Sequence, residues 1–273
     1  MTKVIFNADD FGISPGVNQA IFRAHTEGIL NSTSLMINQQ FANEAISLAK
    51  RMPDLMIGLH INLTNEKSAT NPSHIPLLVG KDGCFKNGFL KLLIFSFFYP
   101  KKLREQSYIE IKAQIEKYLK SGLKLNHLDG HRHVHMVPAV FKAVKQLQQE
   151  YNISRVRVMN EHLFNTIFQN KSIAYLFDGG IIKYFVLKFL SLWNNCKSNV
   201  YFYTILYTCK LSKAQFQSVK IPSGFDTVEI MIHPGIPELD KGKDYVWDEN
   251  ILSPYRTQEF DLLLDKKVLK GIQ

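Results

Sequence analysis

Residues 3–12 read KVIFNADDFG, a short apolar run that ends in two carboxylates. Further short, β-branched runs follow it and helical patterns separate them, which is typical of βα units around a parallel sheet or barrel. The predicted strands are 3–8, 33–38, 55–61, 125–129, 154–158, 200–207 and 227–232, and the predicted helices are 16–27, 41–51, 107–121, 138–150, 173–193, 212–219 and 257–270. Because no GxGxxG follows the first strand, the pattern favours a deformed (β/α) barrel, TIM-barrel-like and with seven strands, over a doubly wound sheet.

Length and composition agree with this fold class. A chain of 273 residues suits one barrel domain over 1–273, and 45% hydrophobic with 21% charged residues excludes a disordered or fibrous protein. The net charge of +9 favours anionic partners, which include nucleic acid, phosphorylated ligands and an anionic membrane surface. The lysines are scattered and no recognised nucleic-acid module occurs, so we expect no nucleic-acid partner.

The beginning of the chain and its cysteines indicate the compartment. MTKVIFNADD lacks the long apolar region of a secretory signal, so we expect a cytoplasmic protein. The three cysteines, Cys84, Cys196 and Cys209, form no CxxC pair, which favours free thiols over a disulfide framework or a cysteine zinc site.

Polar residues collect at the carboxyl ends of the predicted strands, where (β/α) barrels place their active sites. They are Asn7, Asp9, Asp10, Asn38, His60, Asp129, His131, His133, His135, Arg157, Glu161 and His233. Carboxylates and histidines from several strands, with no cysteine nearby, predict a divalent-metal site with nitrogen and oxygen ligands.

Asp9 and Asp10 would point in different directions on an extended backbone, so one can bind a metal while the other takes a proton. The alternative is an Asp-rich turn that caps the helix beginning near Gly16. Unpaired carboxylates directly after an apolar strand are costly, which favours the functional interpretation.

Each histidine also has a structural alternative. His60, alone in IGLHINL, could be a hydrogen-bonded core residue, and His233 in MIHPG could be structural as well as catalytic. In NHLDGHRHVHM (126–136), alternate residues would share one side of an extended chain, although a surface histidine tract is the other interpretation. A catalytic metal usually takes three protein ligands, so the remaining histidines would orient ligands or contact substrate. Arg157 and Glu161 could form an ordinary ion pair.

Read in order, NADDFG, GLHINLT, LDGHRHVHM, RVRVMNE and MIHPG resemble the YdjC-like carbohydrate deacetylases, a family that includes chitooligosaccharide and hopanoid-biosynthesis deacetylases. The resemblance runs from about residue 3 to 265. It implies a deformed (β/α) barrel and metal-dependent removal of the acetyl group from an N-acetylated sugar, giving acetate and a free amine.

The resemblance also implies roles for residues. Asp10, His60 and His131 would bind the metal, either Mg²⁺ or Zn²⁺, while Asp9 would be the base and His233 the acid. Independently of the resemblance, we expect the strand-end residues Asn38, Asp129, His133, Arg157 and Glu161 to support the ligands or contact substrate. Two positions depart from the family pattern, which often has Ser at Gly130 and His at Arg132, and Arg132 adds a cation beside the site.

Two other functions fit parts of the pattern. A metal-dependent phosphoesterase would suit the basic charge and the His/Asp site, although two-metal sites need more carboxylates than the strand ends supply. A catalytically silent barrel that holds a sugar or lipid is the other, and the complete set of Asp9, Asp10, His60 and His131 opposes it.

Three segments are left with open interpretations. The loop 62–88 is predicted as a structureless lid. The apolar segments 89–99 and 181–193, the second within the helix 173–193, are too short and too charged to span a bilayer. We expect them to be core helices, a homodimer interface or helices lying on an anionic membrane. In the last case the protein would be peripheral at the inner membrane face, and its substrate would be a lipid-linked amino sugar.

Overall fold

The computed structural model describes residues 3–169, 179–217, 219, 221–246 and 248–267. In this part of the chain, seven parallel strands form one sheet in the order β5-β4-β3-β2-β1-β7-β6. The strands are β1 (Lys3–Phe11), β2 (Ser32–Leu35), β3 (Met56–Ile61), β4 (His127–Gly130), β5 (Arg155–Val156), β6 (Val200–Tyr203) and β7 (Thr227–Ile232). Each of the seven overlaps a predicted strand, with ends that differ by up to four residues.

Helices occupy the connections. They are α1 (Pro15–Thr26), α2 (Ala42–Ala49), α3 (Phe89–Phe98), α4 (Pro100–Lys120), α5 (Pro138–Glu150), α6 (Leu163–Gln169), α7 (Gly180–Trp193), α8 (Lys213–Gln217), α9 (Pro237–Asp240) and α10 (Pro254–Leu264). The segments Pro72–His74, His131–Met136 and Glu249–Leu252 are short 3₁₀ helices. Helix α3 forms from the apolar segment 89–99, whereas α6 and α9 match no predicted helix, and the first residues of the predicted helix 173–193 lie outside the described residues.

The sheet curls into a deformed barrel whose seam lies between β5 and β6. Asn160, which follows β5, bridges that seam with its side-chain amide. Its Nδ2 donates to the carbonyl oxygen of Val200 at 2.7 Å, and its Oδ1 accepts from the backbone N–H of Phe202 at 2.7 Å. One side chain therefore supplies the contacts that a strand ladder makes elsewhere in the sheet.

The segment 62–88 is ordered by helix α4, in contrast to the structureless loop predicted. Glu110 accepts hydrogen bonds from the backbone N–H groups of Ala69 and Thr70 at 2.8 and 3.0 Å, and Gln106 accepts one from Leu77 at 2.8 Å. The prediction of a lid over the site is also wrong, because among the described residues none of 62–88 lines the central cavity.

Candidate metal and catalytic site

The end of β1 places two buried carboxylates in one cavity. At Asp10 the backbone is left-handed, with φ of 70°, and the pairing of β1 with β2 shifts register between Ala8 and Phe11. The chain is therefore not extended as predicted, and both Asp9 and Asp10 line the cavity. Ser14 caps helix α1 by accepting from the N–H of Val17, so the interpretation of the aspartates as a helix cap is wrong.

Asp10, His60 and His131 offer three donor atoms that lie within 4.8 Å of one another. Asp10 Oδ1 is 2.8 Å from His131 Nδ1 and 3.6 Å from His60 Nε2. Two ligands that share one ion at about 2.1 Å lie about 3.0–3.4 Å apart, and the spacings of 2.8 and 3.6 Å fall just outside this range on either side, so small side-chain shifts would allow a common metal. His131 Nε2 is buried and has no hydrogen-bond partner in the described part of the chain. One oxygen and two nitrogen donors therefore fit a divalent cation.

Asp129 orients His60. Its Oδ1 lies 2.7 Å from His60 Nδ1, which leaves Nε2 directed at Asp10. A carboxylate behind a metal-binding imidazole fixes both its tautomer and its orientation. Burial alone lowers the pKa of His60, but the charges of Asp129 and Asp9 outweigh it and raise the pKa to about 9.

Three of the four histidines in the histidine-rich segment, His127, His131 and His135, are buried, so the surface-tract interpretation is wrong. Strand β4 ends at Gly130, and Arg132 and His133 are left-handed with φ of 52° and 57°. The alternation predicted for an extended chain therefore stops at Gly130. His127 lies over Gly58, where an added Cβ would come within 2.4 Å of its ring, and burial lowers the pKa of His127 to about 3.

Arg157 holds three buried carboxylates. Its Nη1 and Nη2 each donate to one oxygen of Asp9 at 2.7 Å. The same Nη2 lies 2.7 Å from Asp129 Oδ2, and Nε donates to Glu229 Oε1 at 2.7 Å. The predicted ion pair with Glu161 is absent from these contacts. The guanidinium instead fixes Asp9 at the floor of the cavity and links it to the carboxylate behind His60.

Glu161 and Asn38 lie away from the donor cluster. Glu161 accepts from the Thr166 hydroxyl at 2.9 Å and from the N–H of Ile205 at 2.7 Å, and burial raises its pKa to about 7. Asn38 donates to the carbonyl of Lys67 at 2.9 Å. Neither side chain lines the cavity, whereas His133 does.

His233 follows β7 and also lines the cavity. Its backbone N–H donates to Glu259 at 2.6 Å, while its Nδ1 is buried without a hydrogen-bond partner among the described residues. Burial lowers the pKa of His233 to about 4, so the ring is neutral at neutral pH.

Two site residues were missed by the sequence analysis. Arg256, from helix α10, donates to Asp10 Oδ2 at 2.8 Å, and no motif marks a single arginine on a helix. Burial raises the pKa of Asp10, yet His131 and Arg256 outweigh that effect and hold the pKa well below its ordinary value. Glu229 could have been found, because a carboxylate in the middle of the apolar strand TVEIMI requires a buried partner.

The cavity above these residues has a volume of about 630 Å³, within the usual range of small-molecule sites. Its floor holds the donor cluster and Asp9. Helix α7 forms part of its wall with Lys183, and the apolar side chains of Phe89, Ile182 and Val186 also line it. The space therefore combines a polar floor with apolar helix surfaces.

Replacing Arg157 by Met should lower the free energy of unfolding by about 3–5 kcal/mol, because Asp9 and Asp129 would stay buried without their cation. Urea unfolding measures the change. Arg23→Met, which removes an exposed pair with Glu27, is the control and should leave the stability almost unchanged. Equal losses for both variants would contradict the buried network.

Comparison with known proteins gives a consistent set of relatives. A family profile described as YdjC-like protein matches residues 3–273. A carbohydrate deacetylase of Brevibacillus brevis is 36% identical over 183 residues, 67% of this chain and 69% of that protein. A carbohydrate deacetylase of Vibrio cholerae serotype O1 is 38% identical over 153 residues, 55% of this chain and 57% of that protein. The latter alignment thus spans little more than half of the Vibrio protein.

A crystal structure from Enterococcus faecalis V583 has a similar fold. It is described as a candidate cellobiose-phosphate cleavage protein and superposes with a TM-score of 0.68, covering 99% of this chain and 93% of that one at 24% identity. At this level of identity the likeness concerns the fold alone.

Proposed function

The chain belongs to the YdjC-like protein family, and we propose that it is a metal-dependent hydrolase that removes the acetyl group from an N-acetylated amino sugar. The observation that carries this proposal is the cluster of Asp10, His60 and His131, whose donor atoms meet at the floor of a sugar-sized cavity. The products are acetate and a sugar with a free amine.

Asp10, His60 and His131 would hold the cation. When bound, a divalent cation lowers the pKa of a coordinated water and polarises the acetyl carbonyl. Two imidazoles and a carboxylate are compatible with Zn²⁺, whereas Mg²⁺ would need several waters beside them, so we propose either of these two ions.

Asp9 is the base in this proposal. Arg157 and Asn7 both donate to its oxygens, which fixes the carboxylate while it takes a proton from the attacking water. The water oxygen bonds to the acetyl carbon and the bond from that carbon to nitrogen breaks. Asp9 therefore acts on the nucleophile, while Asp10 serves the cation.

His233 delivers the proton to the departing amine nitrogen. Because burial lowers the pKa of His233 to about 4, the ring does not hold that extra proton beforehand and must receive it during the reaction, as the proton that Asp9 has taken from the attacking water. Its Nδ1 is buried 3.9 Å from Oε2 of Glu259, so Nε2 is the ring nitrogen left for this transfer.

A two-metal phosphoesterase fits the structure less well. Asp9, His60 and Asp129 form a second group of donor atoms, but it shares His60 with the first group. Arg157 already contacts both of its carboxylates at 2.7 Å. The guanidinium therefore occupies the carboxylate oxygens that a second metal ion would need as ligands.

The test compares two products. We expect the protein loaded with Zn²⁺ or Mg²⁺ to release acetate from an N-acetylglucosamine oligomer, with one amine formed for each acetate, and to release no phosphate from a generic phosphoester. Chelation should abolish acetate release and added metal should restore it. Phosphate release without acetate release would favour the phosphoesterase instead.

A further inference from the structure

Helices α3 and α7 each expose a row of large apolar side chains. Phe98, Ile182 and Leu192 are 75%, 68% and 72% exposed, whereas Leu92 of α3 and Leu187 of α7 are buried. Only the inner faces of these helices belong to the core, so the core interpretation of both segments is wrong for their outer faces. We call the exposed side of α3 and α7 the apolar face. Its members are Leu90, Ile94, Phe97, Phe98, Ile182, Phe185, Phe189, Leu192 and Trp193.

The apolar face is one continuous surface. The rings of Phe97 on α3 and Trp193 on α7 meet edge to face with centroids 5.8 Å apart. On α7 the exposed apolar residues fall within an arc of about 100°, the width of an amphipathic stripe. Lys183 and Lys188 flank the two sides of that arc.

The charged residues in the two segments that carry the apolar face are all basic. Residues 89–104 and 180–199 together contain seven Lys or Arg residues and no Asp or Glu. The basic residues are Lys91, Lys101, Lys102, Arg104, Lys183, Lys188 and Lys197. Aromatic side chains bordered by lysines are the composition of helices that lie in the interface of an anionic bilayer.

The apolar face continues into the cavity. Phe89 at the start of α3 and Ile182 and Val186 on α7 line the same space as Asp10 and His60. A hydrophobic group that left a bilayer at this face would meet apolar side chains along the wall that leads to the donor cluster.

We propose that this protein docks on an anionic lipid bilayer through the apolar face, and that its substrate is an N-acetylated amino sugar linked to a lipid of that bilayer. The substrate class rests on the proposed deacetylase function, whereas the docking does not. Within the described ranges, no helix combines the length and the apolar character that a membrane span requires. A second copy of the chain fits less well, because a two-fold axis would set the same lysines against each other.

Cosedimentation with phosphatidylcholine vesicles, with and without phosphatidylglycerol, tests the docking. The wild-type protein should pellet with the anionic vesicles at low salt and less with the neutral ones. Phe185→Glu plus Phe189→Glu should weaken binding at least about tenfold, and each of Lys101→Gln and Lys102→Gln about fivefold. Ile109→Glu plus Leu119→Glu, two exposed apolar residues of α4, is the matched control and should bind like the wild type.

Wild-type protein that stays in the supernatant with anionic vesicles, or a Phe185/Phe189 variant that still pellets like the control, would overturn the docking. A dimer that the same double variant converts to a monomer, without vesicle binding by the wild type, would assign the face to a second copy.

The substrate class has its own measurement. With a lipid-linked N-acetylated sugar in the vesicles, acetate release should fall at least about tenfold in the Phe185/Phe189 variant but not in the control. Metal content and acetate release from a water-soluble N-acetylated sugar, measured on the same variants, show whether a substitution disturbs the cavity itself. If the wild-type protein pellets with the vesicles but releases acetate from neither substrate, the proposed function is contradicted and the docking stands. Equal rates of the wild type and the double variant on the lipid-linked sugar would overturn the substrate class.

Discussion

Asp10→Ala, His60→Ala and His131→Ala are each expected to lose bound metal and acetate release together. Removing one of three protein ligands leaves a site with two donors, which holds an ion poorly. Hydrolysis should fall by at least about 10²-fold, since the loss of a mere supporting contact already costs about 10–100-fold in such sites. Metal analysis of each purified variant, beside its rate, measures both effects.

The exposed His74 supplies the control for these three variants. His74→Ala should keep both metal and rate, because this side chain lies on the surface in the segment that packs on α4. Stoichiometric metal in the three ligand variants would contradict the assignment of the site.

Asp9→Asn should keep its metal and lose most of its turnover. The substitution leaves Asp10, His60 and His131 in place but removes the group that takes the proton from water, so kcat should fall by about 10²–10⁴-fold. Metal content and kcat, determined on the same preparation, separate the two roles. A rate close to wild type with metal bound would move the base to Asp129, the other carboxylate that Arg157 holds.

The strands were predictable because each one is a short apolar run that ends in polar residues. This pattern is local, so it also located Asp9, Asp10, His60, His131 and His233, which stand at or directly after strand ends. FLKLLIFSFF, which forms helix α3, carries apolar side chains on almost every side and gives no helical period, so the sequence left open whether this segment lies in the core or at a surface.

Long-range contacts escaped the sequence analysis. Arg157 and Glu161 are four residues apart, and that proximity suggested an ion pair. The structure instead directs Arg157 into the barrel toward Asp9 and Glu229, while Glu161 binds the backbone N–H of Ile205. Arg256 reaches Asp10 across 246 residues, a separation at which no spacing rule applies.

The seam between β5 and β6 has a consequence for self-association. A sheet that does not close presents two free borders, and a free border can recruit a strand from another molecule. On β6 the carbonyl of Val200 and the N–H of Phe202 are already bound by Asn160, so at these positions an incoming chain finds no backbone groups to pair with. The side-chain amide of Asn160 thus protects this open edge of the sheet against the addition of a strand.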